Sequence, residues 1–203
     1  PPGYSLNWSG QYELLLRAKE RLTYVVPLTL AIIVLLLYLN FRRFAEVAII
    51  MGTLPLARIG GIWLMYLQGY NFSVAVGVGF IALAGVAVEI GVIMLVYLNQ
   101  ALTELKNTAA ENKQPITIDE YREALLRGAG LRVRPVMMTV ATIIIGLLPI
   151  LYGTGTGSEV MSRIAAPMVG GMTSAVLLTL VVLPALYSLV KYPQVVRFNK
   201  GLI

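Results

Sequence analysis

The sequence runs to 203 residues, 58% of them apolar and 13% charged, with a mean hydropathy of +0.78. A soluble domain carries about 25% charged residues, so the composition points to an integral membrane protein. Cysteine and histidine are both absent, which excludes disulfides, thiolate metal sites, cysteine nucleophiles and imidazole catalysis or coordination; the net charge of +6 is read as topological rather than as a nucleic-acid footprint.

The chain begins Pro1-Pro2-Gly3 without an initiator methionine and is read as a piece of something longer. Residues 1–21 form a polar lead-in, with Ser9 placed to cap a short helix and Tyr12, Leu15 and Leu16 giving that helix an interfacial character. Five apolar stretches follow, over about residues 22–39, 45–67, 73–98, 136–152 and 164–190. The first, with Pro27 near its start and tyrosines near both ends, is followed by the basic turn Asn40-Phe41-Arg42-Arg43. The second is interrupted by Pro55, Gly60 and Gly61 and closes on Trp63 and Tyr66, whose rings suit a membrane interface. The third, Ser73 to Leu98, is roughly 26 residues long and exceeds the ~30 Å hydrocarbon core at about 1.5 Å per residue. Its glycines Gly77, Gly79, Gly85 and Gly91 are spaced to admit close helix neighbours.

Residues 99–135 are the one long polar segment, expected as a loop in which Thr117 to Arg127 forms an amphipathic helix lying against the membrane. Thr117 is placed to cap it and acids stand in its first turn. The fourth stretch ends near Pro149, and Gly153 to Glu159 reads as a flexible glycine-rich loop. The last stretch runs into a short basic tail with Lys191, Arg197 and Lys200. Lys and Arg gather on the side of Arg42-Arg43, the polar segment and the tail, which makes that side cytoplasmic. The expected topology is five spans with the N-terminus outside and the C-terminus inside.

Glu89 is the strongest functional candidate. Hydrocarbon disfavours an ionised carboxyl, so an acid in mid-span can take up and release a proton when its surroundings alternate between dry and wet. The bland alternative is a carboxyl hydrogen-bonded to a neighbouring helix. Arg58 is the second charge at membrane depth. It lies about seven residues, or ~10 Å, from the depth of Glu89, too far for an easy direct contact. Met161, Met168 and Met172 fall on one face of the last stretch. Thioethers select Cu(I) or Ag(I), although methionine is also ordinary apolar filler. The loop at Gly153–Gly157 lacks the Gly-Lys-Ser/Thr ending of a phosphate cradle, and no protease-like pairing stands within the spans. The sequence does not read as an enzyme and implies no cofactor.

A specific ordered set of motifs carries a resemblance. Pro1-Pro2-Gly3-Tyr4 and Trp8-Ser9-Gly10-Gln11 are followed by Gly79-Phe80-Ile81-Ala82-Leu83-Ala84-Gly85-Val86. Then come Arg132-Val133-Arg134-Pro135, Met138-Thr139, Leu147-Leu148-Pro149 and the run from Gly153 to Met168. The whole sequence resembles the C-terminal membrane half of a resistance-nodulation-division (RND) pump of the heavy-metal efflux branch, and the last run resembles the copper/silver type. The resemblance implies helices eight to twelve of a twelve-helix, proton-driven antiporter of the Gram-negative inner membrane. Such a pump is a homotrimer working with a periplasmic adaptor and an outer-membrane channel, and residues 1–21 would lead in from its periplasmic porter domain. Glu89 falls where the family has a proton-relay acid, and Met161 where the copper/silver branch has a thioether for Cu(I)/Ag(I), the transported substrate. Two positions depart from that branch. The copper/silver branch often has a lysine partner of the relay acids at the first, where this sequence has Val136, as in pumps for zinc, cobalt or cadmium. Arg58 is not a residue the family carries at its position. A divalent-metal pump, an organic-substrate RND pump and a non-transporting truncated scaffold are the alternatives.

Overall fold

The computed structural model describes residues 11–202, except for the side chains of residues 11, 12, 14, 15, 201 and 202. The expected cap at Ser9 and the motifs within residues 1–10 lie outside the described residues. Five α-helices account for nearly all the rest: α1 (Gln11–Phe41), α2 (Phe44–Leu67), α3 (Val74–Asn112), α4 (Ile118–Tyr152) and α5 (Ser158–Leu202). Each contains an apolar stretch long enough to cross a membrane, because only a backbone bonded within itself can do so without stranding N–H and C=O groups in hydrocarbon.

The chain divides into two compact units, residues 1–42 and 43–203. In the first, residues 11–21 of the lead-in and the first apolar stretch are one continuous helix, which Pro27 does not interrupt. Arg17 pairs with Glu13 on its exposed face. Arg42 ends the helix in the left-handed conformation (φ 53°), donating its N–H to the Tyr38 carbonyl at 2.7 Å.

In the second unit α5 is the central element, packing against α2, α3 and α4, while α3 also packs on α2 and α4. Small residues set how closely these helices approach. A Cβ on Gly60 would stand 2.3 Å from the Gly170 carbonyl oxygen, and one on Gly170 would stand 2.4 Å from that of Gly60. The backbones of α2 and α5 therefore touch there, and Ser174 reinforces the contact by donating to the Ala57 carbonyl at 2.9 Å. Of the four glycines on α3, Gly79 does the same against the Ile164 carbonyl and Gly91 meets side chains at ordinary distance, whereas Gly77 and Gly85 face open space. Around these contacts Leu83, Ile90, Val136, Val140, Met172 and Val176 form one apolar core, and Met65, Val76, Leu151, Ala165 and Ala166 form another.

The polar segment departs from expectation. Residues 99–112 continue α3 and residues 118–135 begin α4, so the expected loop is a helical hairpin with only 113–117 outside helix. The segment expected as a separate amphipathic helix is the first third of a 35-residue helix, which Pro135 does not break. Residues 99–111 are rich in Ala, Leu, Glu, Gln and Lys, good helix formers, and helix propensity persists where hydropathy stops. Thr117 does cap α4. Its hydroxyl accepts from Glu120 N–H at 3.3 Å while the Glu120 carboxylate accepts from Thr117 N–H at 2.8 Å, a reciprocal capping box. Those bonds to the carboxylate, the backbone one foremost, hold Glu120 below the usual range for a glutamate.

The hairpin leans on α5. Gly128 lets α4 close on α3 at Ala101 and Tyr97. Tyr121 buries its ring and donates its hydroxyl to the Ser188 carbonyl at 3.0 Å, and burial pushes that phenol up to about 12. Asn199 accepts from Ile116 N–H and donates to the Ile116 carbonyl, both at 2.9 Å, which fixes the connecting turn to the end of α5. At the opposite end, α5 begins at Ser158, so the glycine-rich connection is confined to residues 153–157.

Candidate functional site

Glu89 lies on a face of α3 that the other helices of its own unit leave open. The buried positions of α3 follow Leu83, Ala87, Ile90, Met94 and Leu98. Glu89 falls on the other side with Val78, Ala82, Gly85 and Val96, all exposed. These are spaced three, four or seven residues apart, as positions on one helical stripe must be. Bare Gly85 and small Ala82 stand one and two turns from the carboxyl, and a Cβ on Gly85 would meet nothing within 4 Å. A further helix could approach this stripe closely.

Arg58 is exposed on α2. The ion pairs formed among the described residues are Glu13–Arg17, Glu123–Arg127 and Glu46–Lys191, so Glu89 and Arg58 do not pair. Val136 is buried against Ile90 and Met172 in the core. The position after Arg134-Pro135 therefore points an apolar side chain into the bundle and offers Glu89 no charge.

The three methionines grade inward along α5. Met161, in its first turns, is 57% exposed, Met168 is partly buried, and Met172 is fully buried in the apolar core. Met172 is filler. Met161 presents its thioether at the end of the bundle opposite the polar hairpin. Among the described residues no group of three or more acids converges to hold a metal ion.

The sequence reading missed a second carboxylate. Glu46, in the first turn of α2, is 2% exposed and pairs with Lys191 of α5, which is 3% exposed. Its other oxygen accepts from Asn99 Nδ2 of α3 at 2.8 Å, and the Tyr187 hydroxyl donates to Asn99 Oδ1 at 2.6 Å. The Lys191 ammonium also stands 5.5 Å from the centre of the Tyr187 ring. Lys191, expected as a solvated charge of the tail, is instead at the centre of a buried network joining three helices. The available signal was an acid just inside one span and a lysine just past another. A charge that is buried must be paired, but nothing local identifies its partner 145 residues away.

The second unit is thus an all-helical bundle of membrane-crossing length with an open, small-residue stripe around one carboxyl. The sequence profile of the AcrB/AcrD/AcrF family matches residues 1–191. The cation efflux system protein CusA of Escherichia coli K12 is 56% identical over 188 residues, which are 93% of this chain and 18% of CusA. The cobalt-zinc-cadmium resistance protein CzcA of Cupriavidus metallidurans is 36% identical over 189 residues, 93% of this chain and 17% of CzcA. A crystal structure of a heavy metal efflux pump matches with a TM-score of 0.76 at 37% identity, over 95% of this chain and 18% of that one. The chain belongs to the AcrB/AcrD/AcrF family, among its RND heavy-metal efflux members. It spans less than a fifth of the length of these relatives.

Proposed function

We propose that this chain is membrane helices eight to twelve of a proton-driven pump that exports heavy-metal cations, foremost Cu(I) and Ag(I), by metal/proton antiport. In this reading it lies in the bacterial inner membrane, residues 1–21 outside and the polar hairpin and C-terminus in the cytoplasm. The complete protein works as a homotrimer with a periplasmic adaptor and an outer-membrane channel. The observation that carries the reading is the 56% identity to CusA along 93% of the chain, against 36% to the cobalt-zinc-cadmium protein.

Glu89 takes the role of a proton-relay acid. Its open stripe on α3 suits a helix from the first half of the pump, which would supply partner carboxylates and shield it from lipid. Protonation and release there alternate with rearrangement of the helix interface, since hydrocarbon tolerates the neutral acid far better than the ionised one. Met161 takes the role of one soft ligand where metal meets the outer end of the bundle. Val136 favours a second reading, a pump for divalent zinc, cobalt or cadmium.

Growth of a strain carrying the complete gene on copper, silver and zinc tests both readings. The first expects protection against copper and silver, lost with Glu89→Gln while the protein stays in the membrane, and selectively weakened by Met161→Ile. Full resistance with Glu89→Gln removes the relay role, and protection against zinc alone transfers the assignment to the divalent reading.

A further inference from the structure

At the polar end of the bundle, two cations without a carboxylate partner meet on one face of α5. Arg43, immediately before α2, donates to Gln194 Oε1 of α5 at 2.8 Å. Lys106 of α3 stands 5.9 Å from the centre of the Phe198 ring of α5. Gln194 and Phe198 are one helical turn apart, so Arg43 and Lys106 converge on the same face of α5. Beneath them Lys191 is already neutralised by Glu46, while among the described residues neither Arg43 nor Lys106 has a carboxylate partner. Partial burial, then repulsion from Lys191 and Arg43, holds the Lys106 ammonium below its ordinary range.

The depth of this cluster identifies the anion. The apolar stretch of α5 ends at Val190, and Gln194 and Phe198 follow at about 6 and 12 Å along the axis. The headgroup zone adds roughly 5–8 Å to each side of the hydrocarbon core, and a lysine arm reaches back several ångströms. The aromatic ring of Phe198 adds an apolar wall. Basic pockets between membrane helices at this depth take lipid phosphates.

We infer that Arg43 and Lys106, set on the Gln194–Phe198 face of α5, form a binding site for the phosphate headgroup of an anionic phospholipid. The site rests on the reading that this end of the bundle lies at a membrane surface, and it is independent of Glu89 and of the metal carried.

The test uses the full-length protein, delipidated in detergent and titrated with phosphatidylglycerol or phosphatidylcholine while bound lipid is counted by native mass spectrometry. With about 1 kcal/mol per cation, two cations give roughly thirty-fold tighter binding of the anionic lipid. The double substitution Arg43→Gln/Lys106→Gln should bring the two lipids to near-equal affinity. Arg122→Gln/Arg127→Gln, which removes the same charge from the hairpin, should leave the preference intact. Should the first double variant misfold, Lys106→Gln alone should cut the preference about five-fold. A preference that survives loss of Arg43 and Lys106, or falls equally in the hairpin control, overturns the site. Displacement of the lipid by excess inorganic phosphate overturns it too, in favour of a soluble anion. Glu89→Gln should leave lipid binding unchanged, so failure of the pump assignment and failure of this site are separable.

Discussion

Two carboxylates in one helical bundle have opposite surroundings. Glu46 is sealed between α2, α3 and α5, with Lys191 on one oxygen and Asn99 on the other. Glu89 stands on the exposed stripe of α3 without an ion-pair partner among the described residues. A carboxylate whose lone pairs are taken by buried neighbours fixes helices in register, and changing its protonation would break the assembly. One left open can change protonation without unfolding anything. The contrast separates an acid that ties three helices together from one that no ion pair holds among the described residues.

The largest effect should come from breaking the sealed pair. Glu46→Leu leaves Lys191 charged and buried, and in the complete protein it should cost about 3–5 kcal/mol of stability in denaturant titration. Glu46→Leu/Lys191→Leu should recover most of that, because removing both charges removes the desolvation penalty as well. Equal losses in the single and double variants would show that packing, not charge, matters there. Glu89→Gln should shift stability by no more than about 0.5 kcal/mol, as at a surface position, while export is lost. A large stability loss would place Glu89 in the same class as Glu46. Thr117→Ala removes the cap of α4 and should cost about 1 kcal/mol, seen as faster amide exchange confined to the first turns of α4.

The smallest effects depend on pH and lie in the hairpin. The Glu120 carboxyl is held low by its bonds to Thr117, so its contribution is present above the ordinary glutamate range and is lost as pH falls through the lowered value. Amide protection at the start of α4, taken relative to the intrinsic exchange rate at each pH, should fall in acid, and Glu120→Gln should remove that fall. Tyr121 titrates in the opposite direction. Its phenol is raised from 10.0 to about 12 by burial, so stability holds below the ordinary tyrosine value and declines as pH rises through the raised one. Tyr121→Phe should remove that alkaline decline, and an unchanged profile would assign it elsewhere.

Much of this architecture was legible in the sequence because hydrocarbon imposes strong constraints. Runs such as residues 73–98 admit little besides a helix, and the Thr117/Glu120 spacing encodes a cap directly. The open side of α3 could be placed only from its periodicity, once its buried positions were known. The helical hairpin escaped because hydropathy reports solvent preference, whereas residues 99–112 are helical through propensity and through packing of Gly128 on Ala101. Lys191 escaped for a different reason. Its partner is on another helix, and a lysine after a span looks the same whether it meets water or Glu46.

The touching backbones at Gly60 and Gly170 have a mechanical consequence. Where two helices are separated by a layer of side chains, they can slide as rotamers rearrange. At this crossing there is no such layer, so α2 and α5 must travel as one rigid strut. If Glu89 serves the proton relay proposed for it, the stroke coupled to it runs away from this joint and toward the uncovered side of α3.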